Sequence, residues 1–180
     1  MSRLIETICV KNGKLLHLSD HQERMNRSIA HFFGTGITPD LESLLIVPEH
    51  ASRGWVKCRV IYSQNIEQIT WEPYHIREIS SLALVHSDDI DYTWKYADRT
   101  IFEQLIRKTK SDDIIIVKNK YITDSSYANL LFRCGDEWIT PSTPLLMGTQ
   151  GQRLIKSGTR KEEPVHERDL KKFVRVKGSN

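Results

Sequence analysis

Cysteine is scarce in this chain. Among 180 residues only Cys9, Cys58 and Cys134 carry a thiol, odd in number and widely spaced. An odd number of widely spaced cysteines in strand-like runs does not suit a disulfide framework, so none is expected, and a CxxC metal or redox site is absent. Long apolar runs are also missing: none approaches the ~18 residues that span a bilayer. Charges at Arg3 and Glu6 do not suit a signal peptide. Nor is there an excess of one charge, because 26 Lys and Arg face 23 Asp and Glu for a net +3. The signs are interspersed, although the C-terminal third is richer in Lys and Arg, and the chain lacks a nucleic-acid footprint. Its aromatics are not gathered on one strand with basic neighbours, as an RNA-reading sheet requires. His17, His21, His31, His50, His75, His86 and His166 show no metal-ligand spacing. Repeats and low-complexity segments are absent. The expectation is a reduced, cytoplasmic chain with no membrane, nucleic-acid or metal partner.

What is present reads as an α+β fold of two small domains. Leu4, Thr7, Cys9 and Val10 form a strand-like run that stops at the hairpin signal Asn12-Gly13, with Leu15–Leu18 returning. Ser19 and Gln22 predict a capping box. Met25, Ile29, Phe32 and Phe33 then recur at helical spacing until Gly34-Thr35-Gly36. Thr38-Pro39 starts a shorter helix with Leu41, Leu44 and Leu45. Trp55–Ser63, Ile66–Glu72 and Ser81–His86 are strand candidates, completing an N-terminal half with an antiparallel sheet and helices. Ser87-Asp88-Asp89 breaks the pattern, so the domains are expected at 1–88 and 89–180. The C-terminal domain reads as β-rich with helices. It holds an amphipathic helix over Asp98–Lys110, strands Ile114–Val117 and Tyr121–Thr123 about Asn119-Lys120, and a hairpin of Ala128–Arg133 with Trp138–Thr140. Gln152–Lys156 and His166–Phe173 look helical, separated by a charged loop, Gly158–Glu163.

Several residues in this frame could carry chemistry. Lys95 lies between Trp94 and Tyr96 ahead of a helix, where partial desolvation makes a lysine a better nucleophile; taken alone it is an exposed lysine. Arg24, Arg27 and Ser28 share a helix face beside the apolar stripe, where an arginine can give paired N–H bonds to phosphate. Asp124 closes a strand, five residues before Asn129-Leu130; the bland reading is a turn aspartate capping Ser125-Ser126. Leu145-Leu146-Met147-Gly148-Thr149-Gln150 leads into a helix whose free N–H groups suit an anion.

The order of these elements, HxxR at His21–Arg24, KxxxR at Lys95–Arg99, D-x4-N-L at Asp124–Leu130, Thr140-Pro141 and LxGT at Leu146–Thr149, resembles the class IV aminotransferases. These are the fold-type-IV enzymes of pyridoxal 5'-phosphate (PLP). PLP chemistry needs a lysine to condense with the cofactor aldehyde and an acid to keep the ring nitrogen protonated. It also needs donors for the phosphate and an apolar cover for the ring. The resemblance implies Lys95 for the first and Asp124 for the second. It implies Arg24, Gly148, Thr149 and Gln150 for the phosphate and Leu146 for the cover. The pair after the lysine, Asp98-Arg99 where aminodeoxychorismate lyases have Asn-Arg, tilts the reading towards that branch.

This chain departs from the family pattern in four places. Asp124 replaces a glutamate, and Gln150-Gly151 replaces a Thr-Arg pair. The chain begins inside the first strand, and it ends at Lys177–Asn180 before a further phosphate-contacting loop. The expected protein is a homodimeric transaminase or lyase acting on an amino acid or another amino-bearing small molecule. The alternative is a catalytically degenerate relative that binds or regulates.

Overall fold

The computed structural model describes residues 2–34 and 36–179. Thr35, in the expected helix stop, and Asn180, at the end of the tail, lie outside the described residues. The chain forms two compact units. The first is Met1–Arg77 with Trp94–Asp98; the second is Glu78–Thr93 with Arg99–Asn180.

The first unit is built on β1 (Leu4–Lys11), β2 (Lys14–Leu15), β3 (Trp55–Tyr62) and β4 (Ile66–Pro73), an antiparallel sheet in the order β2-β1-β3-β4. Asn12 and Gly13 both have left-handed φ, 48° and 77°, the backbone of a two-residue type I′ hairpin. Its right-handed twist aligns Lys11 with Lys14. Register then runs unbroken from Leu4 opposite Tyr62 to Lys11 opposite Trp55. Val56, Cys58, Val60 and Tyr62 are buried at every second position, as the alternation predicts. They form one core with Leu4, Ile8, Val10, Met25 and Ile29, the last two from α1 (Leu18–Phe33).

The expected capping box does not form. His17 occupies the N-cap in a left-handed conformation, φ 55°, with no side-chain cap bond. The helix starts two residues early, so Gln22 is not at the third position from a serine cap. Its amide instead binds the Pro39 carbonyl (3.1 Å) and accepts from the Leu41 N–H (2.7 Å). It thereby ties α1 to α2 (Leu41–Leu44), whose true cap is Asp40, one residue past the expected Pro39 start.

The second unit carries β5 (Leu82–His86), α3 (Thr100–Arg107), β6 (Asp113–Lys118), β7 (Tyr121–Ser125), β8 (Asn129–Cys134) and β9 (Glu137–Pro141). They are followed by α4 (Thr149–Lys156), β10 (Lys161–Glu163), a 3-10 turn over Glu167–Lys172 and β11 (Arg175–Ser179). Its mixed sheet runs β10-β9-β8-β7-β6-β5, with β11 antiparallel to β8. Three readings need correction. The Ser81–His86 strand does not extend the first sheet: it pairs parallel with β6, Leu82 opposite Asp113. The charged loop contains β10, parallel to β9, and the segment after His166 is a 3-10 turn rather than an α-helix. The core here is Ile115, Val117, Ile122, Leu130, Phe132, Ile139 and Val165. Among the described residues no helix is long and apolar enough to cross a membrane.

Candidate active site

Lys95 lies in the first unit, strapped along β1. The Ile5 N–H donates to the Lys95 carbonyl (2.9 Å), the Ala97 N–H donates to the Arg3 carbonyl (2.9 Å), and Tyr96 pairs with Leu4. Trp94 and Tyr96 pack on the first core, Trp94 stacking on His31 at 4.5 Å. The backbone of Lys95 is thus fixed by its two aromatic neighbours and two hydrogen bonds.

Arg24 is in the same unit and is buried. Its Nε donates to Glu6 Oε1 (2.8 Å) and its Nη2 to Glu6 Oε2 (2.5 Å), the paired geometry that guanidinium and carboxylate share. His21 Nδ1 lies 2.7 Å from Glu6 Oε2; the carboxylate can only accept, so that nitrogen carries the proton. Burial pushes the Glu6 carboxyl up, but the charge and hydrogen bonds of Arg24, with those of His21, outweigh it and hold it at about 2. Sequence reasoning took Arg24 and passed over Glu6. The signal was available: Glu6 falls on the inward face of β1 with Leu4, Ile8 and Val10, where a charge must be paired.

In the second unit, β7, β8 and the loop before α4 gather around Asp124. Residues 125–128 close a tight turn: the Ser125 N–H meets the Ala128 carbonyl (2.9 Å), and Ser125 Oγ accepts from the N–H groups of Tyr127 (3.1 Å) and Ala128 (3.0 Å). The turn caps itself through Ser125, which releases Asp124 from the role of turn aspartate. The same turn makes Asp124 and Asn129 a directly opposed pair, which is the physical content of the D-x4-N spacing. Asn129 Nδ2 donates to Asp124 Oδ1 (2.7 Å) and to the Leu146 carbonyl (2.9 Å). The N–H groups of Leu145 (2.8 Å) and Leu146 (3.1 Å) donate to Asp124 Oδ2. Arg99 braces the outside of this turn, bonding the Ser126 carbonyl and Tyr92 Oη (3.1 Å), its guanidinium over the Phe102 ring at 4.8 Å. Its spacing after Lys95 therefore has a structural explanation in this unit.

The structure thus brings Asp124 and Leu146 together, and the same loop delivers Gly148, Thr149 and Gln150. Gly148 is the N-cap of α4, with ordinary extended backbone. Gln150 accepts a hydrogen bond from Arg153, a residue the sequence reading did not use, so a guanidinium stands at the first turn of α4 where the Thr-Arg pair is missing. These groups fit a pyridine ring bearing a phosphate. A carboxylate held by N–H donors suits a protonated ring nitrogen, and the helix start presents backbone N–H groups with no side chain at Gly148.

A carboxylate on a strand beside a helix-start loop, in an α+β chain with these two sheets, is the arrangement expected of a fold-type-IV architecture. The comparisons with known proteins agree. The family model for amino-transferase class IV matches residues 3–176, so the chain belongs to the class IV aminotransferase family, whose members depend on PLP. An uncharacterized protein of Haemophilus influenzae is 35% identical over 98% of this chain and 96% of its own length. The crystal structure of a candidate 4-amino-4-deoxychorismate lyase from Haemophilus somnus superposes with a TM-score of 0.90 and 28% identity, covering 100% of this chain and 96% of that one. A PLP-bound hypothetical aminotransferase from Mycobacterium tuberculosis shares the fold, with a TM-score of 0.75, 16% identity, 97% of this chain and 76% of that chain.

Proposed function

We propose that this protein is a PLP enzyme acting on an amino-bearing small molecule, with a lyase or transaminase outcome. The observation that carries the reading is the anchoring of Asp124 on β7: its carboxylate is held by three N–H donors, one from Asn129 and two from Leu145 and Leu146 in the loop that leads directly to α4. Bound PLP would supply an electron sink for the carbanion formed at the substrate's α carbon.

Each candidate residue then has one task. Lys95 would hold the cofactor through its Nζ, and once freed by the substrate the same amine would take and return the proton at the substrate's α carbon. Asp124 would accept the N–H of a bound ring nitrogen, and Leu146 would cover a ring face. Backbone N–H groups at Gly148, Thr149 and Gln150 hold the phosphate, with Arg153 adding the charge that the missing Thr-Arg pair would bring. Arg24 adds phosphate charge only to the extent that Glu6 leaves it uncompensated, so it is assigned the smaller share. That pairing favours a weaker phosphate grip than the family pattern implies and is the observation on which a non-catalytic binding relative would rest.

Addition of PLP to purified protein tests the reading. A visible absorption band, absent from Lys95→Ala, is expected, together with a homodimer by light scattering. Protein that stays colourless in excess PLP overturns the enzyme reading.

A further inference from the structure

The amide of Asn129 meets three parts of the second unit's candidate site, β7, the loop after β9 and the start of α4, and has no role assigned above. Its Nδ2 spans Asp124 Oδ1 at 2.7 Å and the Leu146 carbonyl at 2.9 Å. Its Oδ1 faces the start of α4 so closely that a Cβ on Gly148 would lie 2.2 Å from it, and one on Gly151 3.0 Å. Gly148 has φ −68° and ψ 142°, which any residue adopts, so backbone strain does not demand glycine there. Contact with Asn129 does. The backbone of Asn129 is held as well, opposite Asp124 on one side and opposite Ser179 of β11 on another. A short side chain pinned by two hydrogen bonds and a fixed backbone cannot swing aside cheaply.

We propose that Asn129 is a positioning residue, a single amide that sets the spacing between the Asp124 carboxylate and the first turn of α4. Asp124 would meet the ring nitrogen and α4 the phosphate, so this amide sets the distance between the two ends of the cofactor. The inference rests on the PLP reading for its consequence and not for its geometry. The amide works in both senses: the N–H side joins Asp124 to the Leu146 carbonyl, and the oxygen side admits only glycine at 148 and tightly packs against Gly151.

A double-mutant cycle tests it, with Gly148→Ala, Asn129→Ala, the pair together, and Asn129→Asp as an isosteric control. Two quantities are read: the melting temperature of cofactor-free protein and the PLP affinity from absorbance titration. Asn129→Ala and Gly148→Ala should each weaken PLP binding roughly tenfold, about the effect of one lost hydrogen bond to a charged group. The double variant should be no worse than Asn129→Ala alone in either quantity, because the atom that the new methyl would strike is gone. Asn129→Asp keeps the shape but turns a donor into a charge facing Asp124, and should bind PLP at least as poorly as Asn129→Ala. Losses that add in the melting cycle overturn the contact between Asn129 and α4. Wild-type affinity in folded Asn129→Asp overturns the bridging role. If wild-type protein binds no PLP, the proposed function fails by itself, and the melting cycle still decides whether Asn129 joins β7 to α4.

Discussion

Glu6 sits at an inward position of β1, fully buried, and meets Arg24 and His21 rather than water. Its ionised form is favoured in the folded chain, at about 2 against 4.5 unperturbed. A group with a lowered folded value stabilises above its unfolded value, and that stability is lost as pH falls through the folded one. The contribution is therefore complete above about pH 4.5 and lost progressively towards pH 2, on the order of 3 kcal/mol. Thermal melts of wild type should fall steeply across that window, while Glu6→Gln should start lower at pH 7, by about 3 kcal/mol for an uncompensated Arg24, and depend less on acid. Equal slopes for the two proteins would remove Glu6 from the acid transition. The neighbouring Tyr62 gives the opposite case. Its buried hydroxyl has no hydrogen-bond partner of good geometry among the described residues; the Ser28 hydroxyl, which donates to the Arg24 carbonyl, lies near it but offers at best a poor acceptor. Tyr62→Phe should leave stability unchanged or raise it by up to about 1 kcal/mol in a denaturant titration, because an orphaned polar group is removed without loss of shape.

Hairpins show most directly how local sequence became structure. Asn119 and Lys120 join β6 to β7 with φ of 51° and 69°, a type I′ backbone that suits asparagine and strains lysine. Lys120→Gly should stabilise the chain by about 0.5–1 kcal/mol in a denaturant titration, the carbonyl that accepts from the Glu167 N–H being retained. A loss of stability would mean that the Lys120 side chain matters more than its backbone. The same local logic made Asn12-Gly13 and the alternation of β3 readable from the chain alone, because neighbours within a few residues decide them. β10 was not readable, since Lys161-Glu162-Glu163 has no strand pattern and is recruited by the edge of β9. β11 was passed over although Val174-Arg175-Val176-Lys177 alternates, and only its pairing with β8 fixes its place. The placement of β5 failed for the same reason: alternation says strand, and only long-range pairing says which sheet. In the candidate site, the D-x4-N spacing carried its own geometry, whereas Glu6 showed only as a charge at an inward strand position, its partners 15 and 18 residues away on α1 lying beyond any local pattern.

At the scale of the whole molecule, the chain passes between its units at Arg77/Glu78, Thr93/Trp94 and Asp98/Arg99. The short piece Trp94–Asp98 returns to the first unit after the second has begun, and it carries Lys95. Packing is what fastens that piece: Trp94 stacks on His31 at 4.5 Å and meets Phe32 edge-on at 5.5 Å, beside the two backbone bonds that hold Lys95 and Ala97. Stability of the first core and placement of the candidate lysine are therefore one property, and they can be separated by substitution. Lys95→Ala leaves Trp94 in place and should melt close to wild type while lacking the visible band. Trp94→Ala keeps the amine but strips a half-buried aromatic, a loss of about 2 kcal/mol that lowers the melting temperature by roughly 4–8 °C. With its strap loosened, Lys95 should also need about tenfold more PLP to reach the same absorbance, because a reacting group held less firmly loses effective concentration. A Trp94→Ala protein that melts low but binds PLP as wild type would show that the two backbone hydrogen bonds alone hold Lys95.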